Sequence, residues 1–400
     1  MKPFMKVGSF LLAAVMLFSA LIAAGCTPIS LNKEWSYRTS NEELPIGVYI
    51  YSLNLAYSQA ETFAKELKDY DSSSDSWLDM EITDDDGKKA VAKDWIKDEA
   101  KTICLTYLVI NEQLKAEGVE ITDDMIASAD EAAKTNWNVG PYAAMGYMDY
   151  IMPMKDTLEK YGVSFESFAY CTNEYSTRSQ ALFDAMYNEG GSQAVSDEEL
   201  TKFFTENYTD YKYIPVNLYT SSADEAGQAT SVALSDKEVK KIKAEIDGYS
   251  KDINGGKSFD DVLKAYMKAN KIEADPTVKA VDIVKDSTAL GDELKEAIGK
   301  LKTNKAATVQ VGKGETAVYY LVFKGDIQKD VDEYINNEAN RASVLDKMKK
   351  DDYDKYLRDL AGKLDAEENT SVINKYNPNM FFIKPEPTTA AQSSDSESKK

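Results

Sequence analysis

The stretch from Leu290 to Ile327 reads LGDELKEAIGKLKTNKAATVQVGKGETAVYYLVFKGDI. It opens as a helix over Leu290–Leu301. It then changes period to give two strands, Thr308–Val311 and Ala317–Phe323, turned back on each other across Gly312-Lys313-Gly314-Glu315. Working towards the N-terminus, a strand is expected near Val278–Val284 and a helix over Ser258–Ala269. Ser235-Asp236-Lys237-Glu238 is a capping box ahead of Val239, Ile242, Ile246 and Tyr249, and Tyr213–Tyr219 reads as a strand. The order is β-α-α-β-α-β-β.

Helical sequence lies on both sides of this unit. Ile50, Leu53, Tyr57, Ala60, Ala64 and Leu67 fall three or four apart, and Ile96, Ala100, Ile103, Tyr107, Ile110 and Leu114 give the strongest period in the chain, over a helix ending near Gly118. Such a stripe wants a partner helix. Further helices are expected from Thr122, from Ser164 through Tyr187 with Gly190-Gly191 as a stop, and from Ser196-Asp197-Glu198-Glu199, a second capping box, to about Tyr208. Beyond Asp326 the period returns through Val331, Ile335, Leu345 and Met348 to Tyr356, Leu360 and Leu364, with Asn377–Ile383 as a short closing segment. Asp71–Gly87 is Ser- and Asp-rich and reads as a loop; Asp84-Asp85-Asp86-Gly87 lacks the acid at Ile82 and the closing glutamate of a calcium loop, so a solvated turn is expected. Asn136–Met154 is rich in Tyr, Met, Gly and Pro, which suits either core filling or an adaptable binding surface. The end of the chain, 384–400, has no apolar period and is expected to be disordered.

The chain has no histidine. That removes imidazole bases, Ser-His-Asp and Cys-His couples and His-ligated zinc. No metal or cofactor site is expected. Asp and Glu outnumber Lys and Arg by 68 to 47, a net charge of −21, which argues against nucleic acid as a partner.

The N-terminus carries Lys2 and Lys6, then an apolar run from Val7 to Ala24 broken only by Ser9 and Ser19, and ends in Ile22-Ala23-Ala24-Gly25-Cys26. Residues 1–25 read as an export signal, with an uncleaved anchor helix as the alternative. The junction resembles the lipobox of bacterial lipoproteins, which implies lipid attachment at Cys26. Loss of residues 1–25 takes away two lysines and no acid, lowering the charge from −21 to −23. Residues 26–45 are polar and aperiodic and are expected as a tether. Cys104 and Cys171 fall in apolar helical stretches, where buried free thiols are the commoner state and a bridge is the alternative.

Three stretches resemble the PrsA/SurA group of extracytoplasmic foldases, in which a helical chaperone region surrounds a parvulin-type peptidyl-prolyl isomerase domain. They are VSDEELTKFFTENY at 195–208, NGGKSFDDVLKAY at 254–266 and the opening quotation at 290–327. The resemblance covers most of the chain beyond the signal. It implies an α+β fold: a mostly helical region at 46–210, a parvulin-like insert at 211–327, and helices at 328–383 returning to the first region. It further implies a folding factor held by lipid on the extracytoplasmic side of the cell membrane, with unfolded exported proteins as partners.

Parvulins carry a histidine in the first strand and one in the last; here the first strand reads Tyr213-Ile214-Pro215-Val216-Asn217-Leu218 and the last has Tyr319-Tyr320 where the family's Tyr-His pair falls. The family's Gly-Gly-x-Leu-Gly segment before the last helix is also missing. The resemblance therefore implies a weak or inactive isomerase, with Asn217, Tyr319 and Tyr320 as candidate peptide-pocket residues and no residue assigned a catalytic role. The alternative is a solute-binding surface lipoprotein, which should show two α/β lobes; a carboxylate-only glycosidase stays open too, since no pair among so many acids stands out.

Overall fold

The computed structural model describes residues 34–144, 147, 151–223 and 229–384. The expected signal 1–25, Cys26 and all but the first residue of the tail 384–400 lie outside the described residues. The chain divides into two compact units, one formed by residues through Ala194 together with those from Lys349, the other by Val195–Met348.

In the first unit, β1 (Trp35–Arg38) and β2 (Glu43–Pro45) pair antiparallel, and β1 also pairs with Glu367–Glu368. These strands occupy part of the stretch expected as tether. Tyr37 and Leu44 are buried, too few apolar residues within 35–45 to give a period, yet enough to fix a short strand on a core. Next, α1 (Ile46–Ala64) is buried nearly all round, and β3 (Glu81–Thr83) and β4 (Lys89–Val91) form a hairpin ahead of α2 (Ala92–Ala116). The expected loop at 71–87 thus contains a 3-10 turn at Asp75–Asp79 that buries Trp77 and Leu78, with the Trp77 ring 5.1 Å from that of Tyr57. Asp84 stabilises the β3–β4 turn by accepting from the N–H groups of Asp86 (3.1 Å) and Lys88 (2.8 Å).

The α2 stripe is buried at Ile96, Ala100, Tyr107, Ile110 and Leu114, but Cys104, Leu105, Leu108 and Val109 are buried as well, because more than one element covers the helix. Then come α3 (Asp123–Val139), capped by Thr122, and α4 (Tyr175–Tyr187), preceded by a π-helical turn at Tyr170–Glu174. The C-terminal segment belongs to the same unit. The Tyr353 hydroxyl donates to the Ser179 carbonyl (2.9 Å), and Arg358 grips Glu99 through both terminal nitrogens (3.0 and 2.7 Å). Cys104 and Cys171 are free and buried.

The second unit opens on α5 (Asp197–Asn207), whose capping box at Ser196 and Glu199 is complete, and stacks Phe204 on Tyr334 with centroids 4.9 Å apart. The helix therefore counts with the sheet and not with the preceding helices. Its sheet has four antiparallel strands in the order β8-β5-β10-β9: β5 (Thr209–Asn217), β8 (Val278–Asp282), β9 (Lys305–Val311) and β10 (Val318–Lys324). Between β5 and the next helix in sequence stands a hairpin, β6 (Tyr219–Ala223) with β7 (Ala229–Ala233), built mostly from Ser, Thr and Ala with no apolar alternation to announce it. The helices α6 (Asp236–Asn254) and α7 (Phe259–Asn270) cover one face, meeting Ile214, Leu321 and Phe323; α8 (Asp292–Lys300) covers the other, meeting Tyr211 and Val322. The α6 capping box at Ser235 and Glu238 is also complete.

Pro215 stands within β5, where a proline has no N–H to give the ladder. The pairing with β8 stops at Tyr213, so beyond that residue β5 has an open side on which the missing donor costs nothing. On its other side Pro215 is opposite Tyr320 of β10.

Candidate functional site

The candidate residues from the sequence converge on β10 and its partner β5. Side chains along a strand alternate between faces, so Tyr319 and Tyr320 point opposite ways. Tyr319 lies among the buried residues under α6 and α7. Tyr320 stands on the α8 face with its ring edge-on to Tyr213 at 5.6 Å. Asn217 is exposed at the end of β5, opposite Val318. The structure thus does not bring the three together into one pocket.

It brings other residues to Tyr319. The Tyr319 hydroxyl lies 2.7 Å from Asp247 Oδ1 and 2.8 Å from Thr308 Oγ1, and Thr308 Oγ1 is itself 2.7 Å from Asp247 Oδ1. Asp247 comes from α6 and Thr308 from β9, so a helix and two strands meet at one carboxylate oxygen. One turn before Asp247, Lys243 places its ammonium 5.2 Å from the centre of the Tyr319 ring and donates to Gln310 Oε1 (2.6 Å). Gln310 sits directly opposite Tyr319 in the strand register and donates through Nε2 to the Gly312 carbonyl (3.0 Å).

Hydrogen bonds from Tyr319 and then Thr308 hold the Asp247 carboxyl below its usual range. Burial, with the Asp247 contact adding to it, pushes the Tyr319 phenol up, so the hydroxyl stays protonated. A carboxylate held low is a poor base, and neither hydroxyl has an imidazole to activate it. Neither hydroxyl can donate a hydrogen bond to a peptide without giving up one it already has. Its chemistry is that of a polar clamp between helix and sheet.

No family model matches the chain. No curated protein matches it either. Among solved structures, it is similar to the foldase protein PrsA from Streptococcus pneumoniae, at 12% identity, 74% of this chain, 97% of that one and a TM-score of 0.25. It is similar to PrsA from Bacillus subtilis at 17% identity, 68% and 93% coverage and a TM-score of 0.20, and to the foldase protein PrsA from Lactococcus lactis at 12% identity, 86% and 98% coverage and a TM-score of 0.29. The matches run over most of the chain at low identity, and at such superposition scores they carry no argument about function.

Sequence reasoning reached Tyr319 but not Asp247, Thr308, Lys243 or Gln310. The one signal for them was the four-residue spacing of Lys243 and Asp247, a spacing shared by many solvated pairs on helices.

Proposed function

We propose that the protein is a lipid-anchored extracytoplasmic folding factor that holds unfolded exported chains, with proline isomerisation weak or absent. The observation that carries this reading is the insertion of one compact unit, Val195–Met348, into another made from both ends of the chain. A unit inserted between two segments of another supports the kind of arrangement the sequence resemblance to the PrsA/SurA group implies, although the resemblance places the inserted part at 211–327. Tyr147 and Ile151, in the Met- and Tyr-rich stretch, expose 62% and 58% of their surface and offer apolar contacts to a client. Attachment at Cys26 fits a body in which no helix among the described residues is long and apolar enough to cross a membrane.

The isomerase part of the reading turns on the clamp. Rotation about the peptide bond faces a barrier of about 18–20 kcal/mol, and lowering it takes polar groups positioned on the substrate. Here the Tyr319 hydroxyl is committed to Asp247 and Thr308, and no histidine exists to stand in.

The test is refolding of a proline-limited, aggregation-prone protein with residues 27–400 present. Recovered yield should rise at stoichiometric ratios while the slow phase keeps its rate. Acceleration of that phase at catalytic ratios would overturn the isomerase part. No change in either quantity would overturn the whole reading in favour of a solute-binding lipoprotein.

A further inference from the structure

The first unit holds a cavity of about 280 Å³ whose lining divides by chemistry. Leu114, Val119 and Ile121 supply apolar surface, and Glu42, Lys115 and Arg178 supply charge. Glu42 is already engaged: both its oxygens accept from the Asn111 amide (2.8 and 2.7 Å), and Oε1 accepts from the Tyr170 hydroxyl (2.8 Å). Arg178 is held in place by only two of its five N–H groups, through Nη1 to Asn111 Oδ1 (3.3 Å) and Nη2 to Glu174 (3.0 Å), while its Nε is buried with no partner. The Lys115 ammonium is exposed and has no hydrogen-bond or ion-pair partner among the described residues.

The charged lining thus holds two cations and one acid, with Glu174 behind Arg178 as its ion-pair partner, so Lys115 is the cation left without a counter-charge in contact. The acid, Glu42, accepts only from neutral donors, Arg178 keeps three N–H groups free beside its ion pair with Glu174, and Lys115 has no partner among the described residues. We propose that this cavity binds a small apolar carboxylate, its carboxylate between Lys115 and Arg178 and its apolar body on Leu114, Val119 and Ile121. An ammonium on the ligand would lie beside Lys115 and Arg178, which repel it; the preferred ligand has no free amine. The volume falls just below the usual range of small-molecule sites, which suits one or two residues and not an extended segment.

Two sources share this chemistry. One is the C-terminal residue of an unfolded chain, whose nitrogen is acylated; this source rests on the folding-factor reading. The other is a free apolar acid, which does not.

Calorimetric titration of residues 27–400 with N-acetyl-leucine, N-acetyl-leucinamide and an acetylated tetrapeptide ending in a free leucine carboxylate tests the proposal. N-acetyl-leucine should bind and the amide should bind about tenfold more weakly, the usual worth of one charge-assisted hydrogen bond. Lys115→Gln and Val119→Asp should each weaken the acid without moving the thermal transition of the protein. A tetrapeptide tighter than N-acetyl-leucine assigns the site to chain ends; one that binds no better assigns it to free acids. Equal binding of acid and amide, an unaffected Lys115→Gln protein, or no heat with any probe overturns the proposal. If carboxylates bind while client yields stay flat in refolding, the folding-factor reading falls and the cavity stands.

Discussion

Tyr319 is a buried phenol whose polar end meets two partners, and its removal isolates them. Tyr319→Phe should cost about 1 kcal/mol, measured as a lower urea midpoint at neutral pH with unchanged slope. The effect has a pH sign. Because the clamp holds Asp247 below its ordinary value of 3.8, its contribution is present above that pH and lost as pH falls through the lowered value. The gap between the wild-type and Tyr319→Phe midpoints should therefore close on acidification below about pH 4; a gap that widens there would sink the assignment. The cysteines give a second test. Burial pushes the Cys104 thiol up to about 12 and the Cys171 thiol well above its usual value, so neither should react with a thiol reagent at pH 8 until the protein unfolds. Rapid labelling of the native protein would contradict that.

At the scale of elements, what could be read from sequence was what local chemistry decides. Both capping boxes, at Ser196 and Ser235, formed with their glutamates, and the helix–strand–strand order of 290–327 matches α8, β9 and β10. Ser235→Ala should lower stability by about 1 kcal/mol in thermal or urea unfolding. The β9–β10 turn depends on Gly312, whose φ of 75° and approach to the Thr316 carbonyl oxygen, 2.7 Å from where a Cβ would sit, leave no room for a side chain. Gly312→Ala should cost about 1–2 kcal/mol or more by the same measurement. What escaped the reading were elements decided by distant packing. Leu44 stands alone ahead of the helical run that begins at Ile46, Trp77-Leu78 is a short pair in a Ser- and Asp-rich stretch, and β6 and β7 carry no alternation at all. The candidate site failed in the same way: strand pleat separated Tyr319 from Tyr320, and only the placement of α6 brought Asp247 beneath the sheet.

For the molecule as a whole, the first unit depends on its C-terminal segment. Tyr353 closes on Ser179, Arg358 on Glu99, and Glu367–Glu368 on β1. A chain ending at Met348 should lose the calorimetric transition of the first unit, or show it many degrees lower, while the transition of Val195–Met348 persists. Loss of both transitions together would mean that the two units unfold as one.

That shared construction has a consequence in time. Export, like synthesis, delivers the chain from its N-terminus, and the partners of β1, α2 and α4 arrive only after about 150 further residues have emerged. Until then Glu99 has no Arg358 and the edge of β1 is bare, so the early segment waits in an incomplete state. Folding of Val195–Met348 in the interval draws the two halves' ends together and shortens the loop that the late contacts must close, lowering its entropy cost. The inserted unit is then a splint set before the bone: pulsed hydrogen exchange during refolding should find the β5 and β10 amides protected before those of β1.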